Sequence, residues 1–457
     1  MFTLKPLVMA LLILSGSYAL AANNTAIQTQ DGNYNDTLLE QGGEGNNAAQ
    51  IQRGDFSRSE VVQTGNGNSA QIEQVSQAST PENSLRLEQI GNQNTALLNQ
   101  QNLGYGHQAT VLQRGDGNDI TLYQQDGNGS VASLYQEGNG NIHNIQQLRY
   151  GNELSVTSVG NGNSATTTQY GGGPARAEQR GEGNSIELTQ SVGYAGGNIE
   201  VYQEGTNQAA TLYQTSSRYG QIDLILNQVG DGNTANLAQR SDMATLEFVQ
   251  DGTGNDLVAD QGIWRGSLGG AMVGNGNVIE ASQIGTYLNA WLEQNGDNNR
   301  IAVSQRGLGH TASVRQTGTG NETAITQDDY VSDYEPNSSA YVLQEGEANS
   351  AVLNQSFGPL ARGFIEQAGA ANQATIDHSN IEGWTTAGIQ QTGNDHKASI
   401  TQHDTVGFDE ATITQQVAGN VASITQGGLL NGEVVVGERV ATISQTGMNN
   451  VASVIQQ

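Results

Sequence analysis

From residue 24 onward, small or aliphatic side chains alternate with polar ones in blocks of seven, [N/S]-x-Φ-x-Φ-x-Q, where Φ is small or aliphatic. Asn35-x-Thr37-x-Leu39-x-Gln41 is an early copy, and Asn450-x-Ala452-x-Val454-x-Gln456 is the last. Alignment gives 37 copies with seventh positions from Gln30 to Gln456; 34 of these are Gln, and the exceptions are Ser158, Met272 and His378. Alternation at period two predicts a strand with one face turned inward. The third and fifth positions test this. They offer 74 sites, and none holds Asp, Glu, Lys or Arg, although 14% of the chain is charged. Charges such as Glu88, Glu187 and Glu293 fall at even positions instead. Odd positions therefore face a narrow interior and even positions face water.

The spacing between seventh positions separates two kinds of connection. Numbering the units from 1, every even-to-odd spacing is eleven residues, in 18 of 18 cases. Odd-to-even spacings deviate from eleven in 11 of 18, from ten (Gln169 to Gln179) to nineteen (Gln426 to Gln445). The constant connection reads Q-x-G-x-G-N or close to it, as in Gln63-Thr64-Gly65-Asn66-Gly67-Asn68. Gly stands two residues after the strand in 17 of 18, Val417 being the exception. Gly at a fixed place is expected where the chain reverses through a positive φ. We call these connections tight arcs and the variable ones loose arcs. Pro81, Pro336 and Pro359 fall in lengthened loose arcs and Pro174 at an outward position, so none blocks a ladder from inside.

Two short strands per repeat, joined by arcs too short for helices, bury little alone. Stacked, they predict an all-β fold: a β-solenoid of about 18 repeats, two strands per rung of about 22 residues, in two facing parallel sheets. At ~4.8 Å per rung the rod would be roughly 85–90 Å long. Buried amides are costly singly, but in register each can donate to one copy and accept from another. The candidate stacking ladder, and with it a candidate fibre interface, comprises Asn35, Gln41, Asn46, Gln52, Ser57, Gln63, Asn68 and Gln74 near one end, with Gln445, Asn450 and Gln456 near the other. The candidate tight-arc glycines are Gly43, Gly65, Gly115, Gly230, Gly318 and Gly447.

Composition narrows the function. The chain has 457 residues, 60 of them Gly, and no Cys, so neither disulfides nor thiol chemistry is available. With 17 Lys+Arg against 45 Asp+Glu the net charge is −28, which disfavours nucleic acid as a partner. Residues 1–21 read as a secretory signal peptide: Lys5, an apolar run from Leu7 to Leu14, and Ala19-Leu20-Ala21 as the cleavage site. That run is far short of the ~20 residues of a spanning helix, so the chain is expected to leave the cytoplasm without crossing a membrane itself. Residues 22–34 form a short lead-in with a first strand-like unit, and 35–457 the repeat region. The last unit, Asn450–Gln457, reads as a regular strand without a cap.

These residues resemble a known family. Ser57-x5-Gln63-Thr64-Gly65-Asn66-Gly67-Asn68-Ser69-Ala70-x3-Gln74 fits the curlin repeat in full, and similar copies recur from about 35 to 457. The chain is thus similar to the curlin-repeat family, whose members include the major subunit of curli, a bacterial functional amyloid, and would be an unusually long form. The resemblance implies an extracellular, self-assembling subunit of biofilm and adhesion fibres, a homopolymer in a Gram-negative envelope setting. It also implies a minor nucleator subunit and an outer-membrane secretion pore of the curli type as partners. The other reading of the same repeats is a monomeric surface solenoid serving as an adhesin or binding rod.

Other motifs carry less. Gly252-Thr253-Gly254-Asn255-Asp256 and Gly115-Asp116-Gly117-Asn118-Asp119 resemble calcium-binding nonapeptides, but the period here is eleven and acids after Asn are scarce. No helix follows the G-x-G pieces, so they are not dinucleotide fingerprints. His107, His310 and His396 stand where Asn usually stands and read as column substitutes; His143 and His378 also replace column residues, and His403 and the pair Asp328-Asp329 belong to loose arcs. No nucleophile–base set emerges, and no cofactor, metal or catalytic residue is assigned. Trp264, Trp291 and Trp384 are the remaining conspicuous side chains, with packing between fibres the simplest use for them.

Overall fold

A computed structural model describes residues 23–76, 83–102, 104–126, 129–149, 151–193, 196–216, 222–328, 338–356, 360–381, 383–427, 429–430, 433–434 and 436–457. The leader, Pro81, Pro336, Pro359 and Asp329 lie outside them. Among the described residues every regular element is a strand.

Each strand pairs in parallel with the strand two units further along. Asn47–Gly54 lies on Ser69–Ser76 with Gln52 opposite Gln74, and Ser57–Thr64 lies on Asn83–Ile90 with Gln63 opposite Gln89. The result is a β-solenoid with a front stack of odd units and a back stack of even units. Thr25–Asp31 is the first front strand and pairs with Asn47–Gly54, so the stack starts inside the lead-in. Equal positions sit over equal positions because a one-residue slip would turn every inward side chain outward.

Inward third and fifth positions form one continuous apolar core, with Ala70, Ile72, Leu85 and Leu87 at most 3% exposed. The first and seventh positions flank it and are also buried: Asn46, Gln52, Asn68 and Gln74 are 0% exposed. The core is only two side chains wide. Most of the interior polarity is therefore amide, and its hydrogen bonds decide the fold.

The two stacks are not separate everywhere. Asp256–Asn275 and Val278–Asp297 run round the loose-arc edge without a break, and their pairing continues from Gly262 opposite Ile284 to Val273 opposite Asn295. Lys397–Ala418 does the same. A small second core, Ala244, Ile263 and Leu288, fills that corner. The longest loose arc instead holds a short antiparallel pair, Leu429–Leu430 with Glu433–Val434. Pro174 opens its strand, where a missing N–H costs least.

Amide columns, arcs and end rungs as a candidate assembly site

Seventh-position glutamines form two columns. In the front stack each Gln Nε2 donates to Oε1 of the Gln one coil later, from Gln30 through Gln52, Gln74 and Gln100 up to Gln355, over 2.7–3.2 Å. His378 interrupts the column, which resumes from Gln402 through Gln426 to Gln456. The back column starts Gln41, Gln63, Gln89 and is broken by Met272, after which Gln294 restarts it and it reaches Gln445. Ser158 keeps one link, its hydroxyl donating to Gln179 Oε1 at 2.9 Å. The second Nε2 hydrogen crosses the core to the facing stack, to the carbonyl of position two in the preceding strand: Gln63 to Asn47 (3.2 Å), Gln445 to Val421 (3.1 Å), Gln456 to Val440 (3.0 Å). Each Gln thus ties three strands together.

The Asn column adds backbone bonds to its amide-on-amide contacts, of which Asn94 Nδ2 to Asn68 Oδ1 at 3.1 Å is one. Asn46 Nδ2 donates to the carbonyl of Gly65 in the next tight arc (2.8 Å), and its Oδ1 accepts the backbone N–H of Asn68 (2.9 Å). Asn68 repeats this with Gly91 and Asn94. The side chain stands in for a strand, satisfying arc backbone that has left the ladder. Asn is therefore nearly constant at first positions after a tight arc. After loose arcs the first position varies, with Asn35, Ser57 and Asn83 giving way to Ala244, Leu288 and Thr385. Asn35 and Asn450 hold the same place in the outer rungs, with Asn35 Nδ2 on Gly54 O at 2.7 Å.

Tight arcs carry two positive-φ residues. The first is Gly43, Gly65, Gly115, Gly230, Gly318 or Gly447 in six of them, with φ between 106° and 118°. A Cβ on Gly65 would lie 2.0 Å from the Gly91 carbonyl oxygen, so side chains are excluded by space as well as by φ. The second, near 60°, accepts Gly67, Gln93, Asn207, Ala348 or Asp395. Some loose arcs of eleven residues take the same shape: Gly32 and Tyr34 have φ of 125° and 57°, and Gly54 and Phe56 92° and 57°.

The outer rungs are open. Among the described residues Thr25–Asp31 and Asp36–Gly42 at one end, and Val436–Met448 and Val451–Gln456 at the other, each have one ladder neighbour. Ile27, Leu38, Val440, Val451 and Ile455 there are 47–79% exposed. No charge occurs from Val440 to Gln457. The column direction makes the ends unlike. One presents Gln445 and Gln456 Nε2 donors, the other Gln30 and Gln41 Oε1 acceptors.

Residues 296–328, covering one tight arc and the strands Arg300–Leu308, Thr311–Thr319 and Glu322–Asp328, match the family described as the curlin associated repeat. The chain thus carries a curlin associated repeat. No curated relative matches the chain.

Within this solenoid the histidines are column members. His107 Nδ1 accepts the Ser130 N–H at 3.2 Å and Nε2 donates to the Gln101 carbonyl at 3.1 Å; His396 does the same with Asn420 and Thr392. In this place Nδ1 copies the Asn Oδ1 bond to the next coil, while Nε2 turns back to its own arc; for His107 this pattern is that of the neutral Nε2–H tautomer. Burial holds His107 below its ordinary range, and pushes His143 down to about 3 and His378 down to about 4. His143 reaches Ser158 Oγ at 2.9 Å.

Outward side chains engage their own neighbours. Trp291 lies against Gly269 and donates to Glu293, 2.8 Å away. Trp264 sits beside Arg265 (4.7 Å) and Tyr287 (5.9 Å), and Trp384 beside Phe408 (6.3 Å). Arg315 meets Glu293 at 2.7 Å and Arg300 meets Glu280 at 2.7 Å, so scarce cations pair with acids of neighbouring coils. One pair escaped sequence reasoning: Asp409 and Arg439, at 3% and 8% exposure and 3.1 Å apart, occupy successive first positions near the last rung. Their 30-residue separation across the longest loose arc hides the pairing, and only the inward parity of both positions could have signalled it.

Proposed function

We propose that the chain is a structural subunit of extracellular curli-like fibres, growing by end-to-end β-stacking and serving biofilm matrix and surface adhesion. One observation carries this reading: two amide columns, interrupted at Ser158, Met272 and His378, extend to both outer rungs, with donors at one end and acceptors at the other. A second copy continues what the rod already does internally. The apolar outer rungs and the uncharged stretch from Val440 support it, because stacking there brings no acids together. Secretion through a cleaved leader at residues 1–21, a nucleating partner and an outer-membrane pore complete the proposal, on the strength of the family resemblance. No helix among the described residues is long and apolar enough to cross a membrane.

Purified protein, held at tens of micromolar for a day and viewed by electron microscopy, is expected to form unbranched fibres with a meridional reflection near ~4.8 Å. A monomer stable for days in sedimentation would overturn the proposal and favour the surface-adhesin reading.

A further inference from the structure

Among the described residues the front stack has one more strand than the back stack: the units run from Gln30 to Gln456, the first and last both in front. This parity constrains how one copy can seat on another. Consecutive units within the rod are related by a half-turn about the axis and half a rung of rise, since each Gln bonds the unit before it and the unit two beyond. The same rule holds for front and back units alike: Gln52 reaches the Asp36 carbonyl, and Gln63 the Asn47 carbonyl.

We infer that successive copies in a fibre are joined with a half-turn, front stack onto back stack, so that tight arcs alternate between the two edges from copy to copy. This rests on the stacking function proposed above. If the next copy kept front on front, Thr25–Asp31 would cover Val451–Gln456. Its own Asp36–Gly42 would then stand a full rung too high over Val436–Met448, leaving a gap of one strand in the back stack and Gln445 without its column neighbour. With the half-turn, Thr25–Asp31 of the next copy covers Val436–Met448, and its Asp36–Gly42 covers Val451–Gln456. Gln445 then donates to Gln30 and Gln456 to Gln41 of the next copy. The second amide hydrogen of that Gln30 meets the Val451 carbonyl.

A second observation supports this independently. The half-turn lays the first loose arc of the next copy over the last tight arc, around Gly447. Most loose arcs could not fit there, but this one has tight-arc geometry, with Gly32 and Tyr34 at φ of 125° and 57° against 113° and 57° for Gly447 and Asn449. The face of Gly447 is open, its nearest obstacle 3.5 Å from a built Cβ, whereas inner arcs are blocked at about 2 Å by the following coil. Asn450 Nδ2 bonds only its own arc, at Thr446 O, and the Gly32 carbonyl of the next copy would complete it as Gly447 completes Asn420.

The chain has no Cys, so introduced thiols report cleanly. In the half-turn joint Ser453 faces Leu38 of the next copy; front on front, it faces Ile27. All three are exposed at outward positions, and neighbouring Cα atoms at about 4.8 Å suit a disulfide. The double variants S453C/L38C and S453C/I27C, and S453C alone, are assembled, checked for fibres by electron microscopy, oxidised and run without reductant. The expected result is a ladder of covalent oligomers from S453C/L38C fibres only. A ladder from S453C/I27C overturns the half-turn, and dimers from S453C alone overturn the head-to-tail sense. Fibres with no cross-link in any variant overturn the joint while leaving stacking intact. Absence of fibres from the unsubstituted protein overturns the stacking function itself. A gold label on the tight-arc residue Asn66 gives a second readout: labels should alternate between fibre edges at about 90 Å intervals, and labels along one edge would contradict the inference.

Discussion

Asn46 Nδ2 lies 2.8 Å from the carbonyl oxygen of Gly65, nineteen residues later and one coil further along the rod. This bond joins the two most regular features of the repeat, the Asn that begins a front strand and the Gly that begins a tight arc. The Gly carbonyl can point at Asn only because φ is positive there, and the Asn amide is satisfied only because the carbonyl arrives. Each residue type accounts for the other.

The two glycines of an arc should therefore differ in tolerance. Gly65 lacks room for a Cβ beside the Gly91 oxygen, while a Cβ on Gly67 finds nothing closer than 3.6 Å. Gly65→Ala is expected to destabilise the rod by about 2–3 kcal/mol through strain and displacement of the next arc. Gly67→Asn, a residue found at that place in other arcs, should cost under about 0.5 kcal/mol. Urea unfolding of the two variants measures the difference, and equal losses would contradict this account.

Met272 breaks the back column between Gln250 and Gln294, leaving the Gln294 Oε1 buried without a partner. Restoring the column with Met272→Gln should stabilise the rod by about 1–2 kcal/mol, since it satisfies an orphaned acceptor and adds a ladder bond in a dry interior. The urea midpoint should rise. A fall would mean that packing of the Met side chain outweighs the amide.

The faces of the strands were legible because alternation at period two runs unbroken through the inward sites, and the stacking because a seven-residue unit returns in step. Arc conformation was less legible. Gly285 and Tyr287 give a loose arc positive φ values of 144° and 55°, but Tyr is not a residue that announces such a backbone. Nor does any local signal show that Asp256–Asn275 carries pairing round the corner and joins the two sheets, because that depends on adjacent arcs having equal length. The different work of Asn and Gln was also hidden. Both are amides at flanking positions, yet Gln reaches along its column and across the core, whereas the shorter Asn chiefly satisfies arc backbone and does not cross the core.

Val417 tests the arc argument from the other direction. It holds the first arc position, with φ of 85°, where the other seventeen tight arcs have Gly. A β-branched residue is strongly disfavoured there. Val417→Gly should relieve about 1–3 kcal/mol of strain, set against the greater freedom of Gly in the unfolded chain. A net gain in the urea midpoint is expected, and fibre morphology should not change. A net loss would show that the rung has adapted fully to Val.

Acid should weaken the rod well before carboxylates titrate. His378 and His143 are held neutral by burial, at about 4 and about 3 against an ordinary 6.5. Above pH 6.5 both states are neutral and pH has no effect through them. Below 6.5 the unfolded chain takes up protons that the folded one refuses, so stability falls as pH falls, until about 4 for His378 and about 3 for His143. Each contributes a slope of about 1.4 kcal/mol per pH unit within its window. The −28 charge acts in the opposite sense, because protonating outward acids near pH 4 relieves repulsion between stacked coils. The unfolding midpoint of the soluble rod should therefore drop from pH 7 to 4.5. In His378→Gln, which also rebuilds the front column between Gln355 and Gln402, and in His143→Ala, which supplies the commonest third-position residue, the drop should shrink; in the double variant it should shrink further, leaving the share of His107, which burial also holds below its ordinary range. A wild-type midpoint unchanged between pH 7 and 4.5 would place these imidazoles in contact with water, contrary to their position inside the core.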